Sequence, residues 1–369
     1  MAGKTKIDAD GTIHVPAFKL PLSPCLSEAA RQSQIGALLR STLAVPRLEG
    51  LANEAEFIAL VDRFRHELDT KFLEPFSRAL LETFPIDIST ATLGGVPVEI
   101  FTPKAAADES CVLINLHGGA FFSGAVYGGR VESIPVAHLG RMKVVSINYR
   151  QGYEHHYPAA SEDVAAVYRE LLTMYAPAKI GIYGGSAGGR LTAQAIAWML
   201  DKGLPPPGVA GVFSSGAGGR GDSEYFGTLG IGEDPPRDLP ADEILPARLR
   251  SREFGYFAGV PTDDYLATPV TAPAALLSKF PPTLIITGTR AFDLTPAILF
   301  HRALTRAQVD ASLQVFEGLG HCFYYNAYLP ESKDAYETIT RFFARHLGRV
   351  DHRTAHPHQA ADALQSINT

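Results

Sequence analysis

From Thr92 to about Leu347 the chain alternates short apolar runs with amphipathic stretches, and this rhythm narrows the possible folds more than any other feature. The runs lie at 111–116 (CVLINL), 143–148 (KVVSIN), 179–183 (KIGIY), 209–213 (VAGVF), 283–287 (TLIIT) and 312–316 (SLQVF). Between them, 159–175 sets Val164, Val167, Tyr168, Leu171, Leu172 and Tyr175 on one helical face, and 332–347 does the same with Tyr336, Ile339, Phe343 and Leu347. Strands alternating with one-sided helices build a largely parallel sheet covered on both faces. A hairpin, IDISTATLGGVPVEIFTP, opens the series and turns at Gly94-Gly95. The expected class is α/β, with a mostly parallel central sheet flanked by helices.

Two stretches break the alternation. Residues 25–84 read as helical, with Phe57, Val61, Phe64, Leu68 and Phe72 along one stripe, and 216–270 is rich in Gly, Pro and acids. Both are expected to form a layer over the sheet. The division that follows is an N-terminal helical unit at 1–85, a main domain at 86–348 whose insert 216–270 joins that layer, and a loose tail at 349–369. The tail lacks an apolar period, so its His352, His356 and His358 read as solvated side chains rather than metal ligands.

Composition excludes more than it selects. The chain has 369 residues, and its formal charge of −6 comes from dispersed acids, so neither nucleic acid nor an anionic membrane is an expected partner. Three cysteines, Cys25, Cys111 and Cys322, stand in no ligand spacing and their odd number argues against a disulfide framework. The opening MAGKTKIDADGTIHVP has no apolar core of a signal peptide, and no 18-residue apolar run is present. A cytoplasmic protein is expected.

Chemistry concentrates in three places. In YGGSAGG (183–189), Ser186 sits between an apolar strand and a helix, with glycine at −2 and +2. A serine at so sharp a turn is held in a strained backbone, exposed above the sheet at a helix N-terminus that favours negative charge. A phosphate-holding turn is the rival reading, and no P-loop lysine supports it. In LHGGAFFSG (116–124), Gly118 and Gly119 follow a strand, and glycines there let backbone N–H groups face a ligand. With the N–H of Ala187 they make a candidate oxyanion hole. In FEGLGHCFYYN, His321 follows the last strand, where a general base is needed; His117, His155, His156, His301 and His346 fall in less suitable places.

With these residues in view, the sequence resembles the hormone-sensitive-lipase family of α/β-hydrolases, in its microbial carboxylesterase branch, over roughly 85–347. The resemblance rests on HGGA at 117–120, NYRQGYEHHYPAASED at 148–163, GGSAGG at 184–189, PPTLIITGTR at 281–290 and GLGHCF at 318–323. It implies an N-terminal helical cap, a Ser-His-Asp triad acting on short to medium carboxylic esters, and neither metal nor organic cofactor. Ser186 would attack the carbonyl, His321 would carry the proton, and Gly118, Gly119 and Ala187 would hold the oxyanion.

Three positions depart from the family pattern. Ala120 replaces a third glycine, and Gly185 replaces the aspartate that commonly precedes the nucleophile. The third departure touches the triad itself: the family's acid, about thirty residues before the histidine, falls on Ala291. Three readings stay open. In the first, a bent loop delivers Asp293, against the rival that it only organises a helix start with Thr295 and Pro296; in the second, Asp222 or Glu224 serves from beyond the end of the preceding strand; in the third, the pair Ser186–His321 works without an acid. Phe121, Phe122, Tyr324 and Tyr325 are expected to line or border the pocket. Alternative activities are an amidase or lactone hydrolase with the same triad, or a non-catalytic small-molecule-binding protein on the same scaffold, as gibberellin receptors are. The run SLQVF falls at a sheet edge, so a homodimer is expected.

Overall fold

The computed structural model describes residues 6–9, 11, 13–14, 19–40, 53–105, 108–218 and 254–349. At its centre are eight strands: β1 (Ile86–Leu93), β2 (Val96–Pro103), β3 (Asp108–Leu116), β4 (Met142–Ile147), β5 (Ile180–Gly185), β6 (Val209–Phe213), β7 (Thr283–Gly288) and β8 (Ala311–Phe316). They lie in the order β8-β7-β6-β5-β3-β4-β2-β1. Only β2 runs against its neighbours; every other pair is parallel. Gly94 and Gly95, at φ +56° and +83°, make the two-residue turn between β1 and β2, a conformation whose twist suits a hairpin.

The central strands are buried on both faces, as βα crossovers require. Along β3, Val112, Ile114 and Leu116 point into one core while Cys111 and Leu113 point into the other. Helices α5 (Ala159–Leu171), α6 (Ala187–Asp201) and α7 (Leu294–Arg306) cover the first face through residues such as Val164, Leu191 and Phe300. The second face is covered by α4 (Tyr127–Gly140) and α8 (Pro330–His346), with Ile134, Tyr336 and Phe343 among its fully buried or nearly fully buried residues.

Three further helices precede the sheet: α1 (Glu28–Arg40), α2 (Glu54–Leu68) and α3 (Glu74–Thr83). A π-helical turn at Asp69–Leu73 joins α2 directly to α3. Asn53 caps α2 by accepting a hydrogen bond from the Glu56 N–H. The stripe read from the sequence divides at this turn. Phe57 and Val61 are buried, whereas Leu68 and Phe72 border a cavity above the sheet. The extra residue of a π turn rotates the helix face, and such turns occur often at functional sites. No helix among the described residues is long and apolar enough to cross a membrane.

Candidate active site

The cavity lies beyond the carboxyl ends of β3, β5, β7 and β8, where loops rather than strands hold the polar side chains. Ser186 occupies the turn from β5 into α6 at φ +54°, ψ −120°. A non-glycine residue persists in that conformation only where its surroundings impose it. Here its N–H donates to the Phe213 carbonyl, and the backbone on either side is too crowded for side chains. A methyl on Gly188 would lie 1.7 Å from the Leu116 carbonyl oxygen, and one on Gly184 would lie 2.6 Å from the Gly188 carbonyl carbon.

His321 Nε2 stands 2.8 Å from Ser186 Oγ, and its Nδ1 stands 2.6 Å from Asp293 Oδ1. In the tautomer this chain demands, Nδ1–H donates to the carboxylate and Nε2 accepts from the serine hydroxyl. Asp293 opens α7, yet its side chain makes no cap hydrogen bond. Its second oxygen, Oδ2, instead accepts from Thr287 Oγ1 at 2.6 Å. The loop after β7 explains how an acid two residues late still arrives: Ala291 N–H bonds back to the Gly288 carbonyl, and Leu294 N–H to the Ala291 carbonyl, so the chain makes two successive turns and Asp293 sits in the second. Ala291 is itself buried. Asp222 and Glu224, the other candidate acids, lie outside the described residues.

The histidine is fixed from its far side as well. Cys322 takes a left-handed conformation and its N–H donates to Ser214 Oγ at 2.8 Å, while the Phe292 ring packs 4.3 Å from the imidazole. Burial disfavours the charged imidazole, but the Cys322 sulfur and the Asp293 carboxylate outweigh it and hold the His321 pKa well above its ordinary value.

The oxyanion expectation requires a correction at Gly118. Its N–H donates to Glu132 Oε1 at 2.8 Å and is therefore not free for a substrate. The N–H groups of Gly119 and Ala187, and that of Ala120, engage no other group among the described residues. Gly119 borders the cavity beside Ser186 and His321. His117 before it is fully buried, stacked 4.3 Å from Tyr149, and burial pulls its pKa down to about 4, so it is neutral at physiological pH. Tyr149 OH in turn donates to the His117 carbonyl.

The cavity encloses about 810 Å³. Ser186, His321, Gly118 and Gly119 form its floor, and Leu68, Phe72, Leu73, Phe76 and Ala79 of the helical layer form its roof. Three of the four aromatic residues expected at the pocket are placed elsewhere. Phe121, at φ +64°, turns into a stack with Tyr256 at 4.9 Å and sits against Phe257. Phe122 meets Phe64 of α2 edge-on, and Tyr324 packs edge-on against Phe213. Tyr325, the fourth, borders the cavity as expected, together with Leu319 and Phe323. The stretch 148–163 contributes no lining residue; Arg150 closes it on Asp163 through both its backbone N–H and its guanidinium. No group of three His, Cys, Asp or Glu side chains is placed to hold a metal ion among the described residues.

A strained serine at a strand-to-helix turn, joined through an imidazole to a buried carboxylate on this strand order, defines a serine hydrolase fold class. Residues 113–325 match a family described as having the alpha/beta hydrolase fold. The chain belongs to that family. An acetyl-hydrolase of Streptomyces hygroscopicus is 28% identical over 255 residues, covering 68% of this chain and 80% of that protein. The crystal structure of an esterase E25 superposes with a TM-score of 0.76 at 27% identity, covering 90% of this chain and 98% of that one. An esterase from the bacterial hormone-sensitive lipase family shares the fold, with a TM-score of 0.68 at 24% identity over 87% of this chain and 99% of its own.

Proposed function

We propose that the protein is a serine carboxylesterase whose substrates carry an apolar group of short to medium length. The observation that carries this reading is the continuous chain Ser186–His321–Asp293, with contacts of 2.8 and 2.6 Å, at the floor of an apolar-roofed cavity. Ser186 Oγ attacks the ester carbonyl while His321 Nε2 takes its proton. Asp293 holds the ring in the required tautomer and stabilises the imidazolium as it forms. The N–H groups of Gly119 and Ala187, with Ala120 adjacent, receive the developing oxyanion. His321 then returns the proton to the departing alcohol, and water cleaves the acyl-enzyme by the same steps in reverse order.

The N-terminal helices act as a cap. Leu68, Phe72 and Phe76 offer the substrate an apolar wall, and the volume of the cavity exceeds what an acetyl group alone would fill. A panel of p-nitrophenyl esters of increasing chain length, run on wild type and Ser186→Ala, tests the reading. Turnover in the wild type that vanishes in the variant supports it. Binding of esters without turnover would instead indicate a receptor on the hydrolase scaffold. Matched amides and lactones hydrolysed faster than the esters would reassign the activity within the same machinery.

A further inference from the structure

Three buried acids remain among the described residues when the triad is assigned: Glu99 and Asp163 are paired with the guanidinium groups of Arg130 and Arg150, and the third is Glu132. Glu132 lies on α4, a helix that also buries Val131, Ser133, Ile134, Val136 and Ala137, and it is 2% exposed. A buried carboxylate is stable only when its oxygens are surrounded by donors. Those of Glu132 are. Oε1 accepts from the Gly118 N–H at 2.8 Å and from the Tyr325 hydroxyl. Oε2 accepts from the Gly185 N–H at 3.0 Å and from Asn115 Nδ2 at 3.0 Å. Asn115 is oriented in turn by Ser146, whose hydroxyl donates to its Oδ1 at 2.9 Å.

The four donors come from four different parts of the site. Gly118 begins the oxyanion segment, Gly185 immediately precedes the nucleophile, Tyr325 follows His321 and borders the cavity, and Asn115 is in β3. The sequence has glycine at 185, where the family pattern has an acid. A methyl built on Gly185 would lie 3.0 Å from Glu132 Oε1. The carboxylate from α4 therefore stands next to the space that a side chain at 185 would enter.

We propose that Glu132 is a positioning residue for ester hydrolysis: its carboxylate ties the oxyanion segment at Gly118 to the nucleophile turn at Gly185 and so sets the distance between the oxyanion donors and Ser186 Oγ. The proposal rests on the esterase reading above. Its physical basis is that charge-assisted hydrogen bonds in a dry interior are short and directional, and that catalysis by preorganised donors loses heavily when they move by a fraction of an ångström. A carboxylate accepts all four hydrogen bonds. A glutamine amide accepts on one end only and directs its own N–H groups at the donors on the other.

Glu132→Gln is measured for kcat and KM on p-nitrophenyl butyrate, for inhibition by an alkyl trifluoromethyl ketone that forms a tetrahedral adduct with serine, and for Tm. Active sites are counted with a fluorophosphonate allowed to react to completion. The expected result is a kcat at least ~10-fold lower, a KM within about threefold, and a loss of ketone affinity that tracks the loss in kcat/KM. A folded Glu132→Gln enzyme with unchanged kcat and unchanged ketone affinity overturns the proposal, whatever its Tm. If that variant is recovered unfolded, Asn115→Ala decides: it removes one donor to Oε2 without touching the cavity. A parallel fall in kcat and ketone affinity then supports the role, and unchanged values refute it. Ser186→Ala, run alongside, tests the esterase reading separately, since turnover surviving in that variant would refute the reading without reference to Glu132.

Discussion

Asp293 has both carboxylate oxygens committed, one to His321 and one to Thr287, and this sets what its loss should do. Asp293→Asn leaves the ring without a proper acceptor at Nδ1 and favours the wrong tautomer; an equivalent substitution in a serine protease lowers kcat by about 10⁴. A fall of ~10³-fold or more is expected here, read from steady-state rates on a short-chain ester. The pH profile should move too. His321 must be neutral to act as base, and the carboxylate helps hold its pKa up, so the acidic limb of kcat/KM shifts to lower pH once Asp293 is neutralised. Thr287→Val should be milder. It removes a single hydrogen bond to a buried charge, worth ~1.5–3 kcal/mol, and activity should fall while substrate KM is nearly unchanged. Glu132 also carries a prediction about stability, separate from its effect on rate. Burial raises its pKa from 4.5 to about 7, against the hydrogen bonds that lower it. Between those values the folded state binds the extra proton, so this group's contribution to stability falls as pH rises from about 4.5 to 7. Thermal melts of Glu132→Gln over that range should show the slope reduced.

Among the elements, the sheet was legible because burial on two faces writes itself as short apolar runs. Each expected run between 111 and 316 coincides with a strand to within a few residues. The loops were legible only where glycine or a lone histidine marked them. Ser186 and His321 could be named because a strained turn and a post-strand imidazole leave traces in the letters. Glu132 left none, since a buried acid on a helix is spelled like a surface one and its four donors come from segments far apart in the chain. Three of the four pocket aromatics failed for a related reason, Tyr325 alone bordering the cavity. Phe121 turns toward Tyr256, 135 residues away, and no local pattern announces that contact. The cap helix shows the same dependence on distant groups. Arg65 of α2 forms an ion pair with Glu154 and donates to the Phe122 carbonyl beside the oxyanion segment. Both ion-pair partners are partly exposed, so Arg65→Ala should cost less than about 1 kcal/mol of stability. Its larger expected effect is a raised KM for longer-chain esters, measured across the ester panel, as the roof of the cavity loosens.

At the scale of the whole molecule, β8 lies at one end of the sheet with its outer ladder unpaired among the described residues, and Val315 on it is 43% exposed. Pairing of two chains along this edge is the expected oligomeric state, and sedimentation of wild type against a variant with Val315→Lys measures it: the charge should shift the population toward monomer. The position of β8 also has a bearing on how the enzyme comes into being. Ser186, Asp293 and His321 follow three different strands, β5, β7 and β8, and the bond between imidazole and serine spans 135 positions. A ribosome-bound chain that has completed β5 already carries its nucleophile, but has neither the base that activates it nor the acid that orients the base. On the proposed triad, hydrolysis waits until the last strand has docked at the margin of the sheet, so the first turnover would report that the sheet is complete.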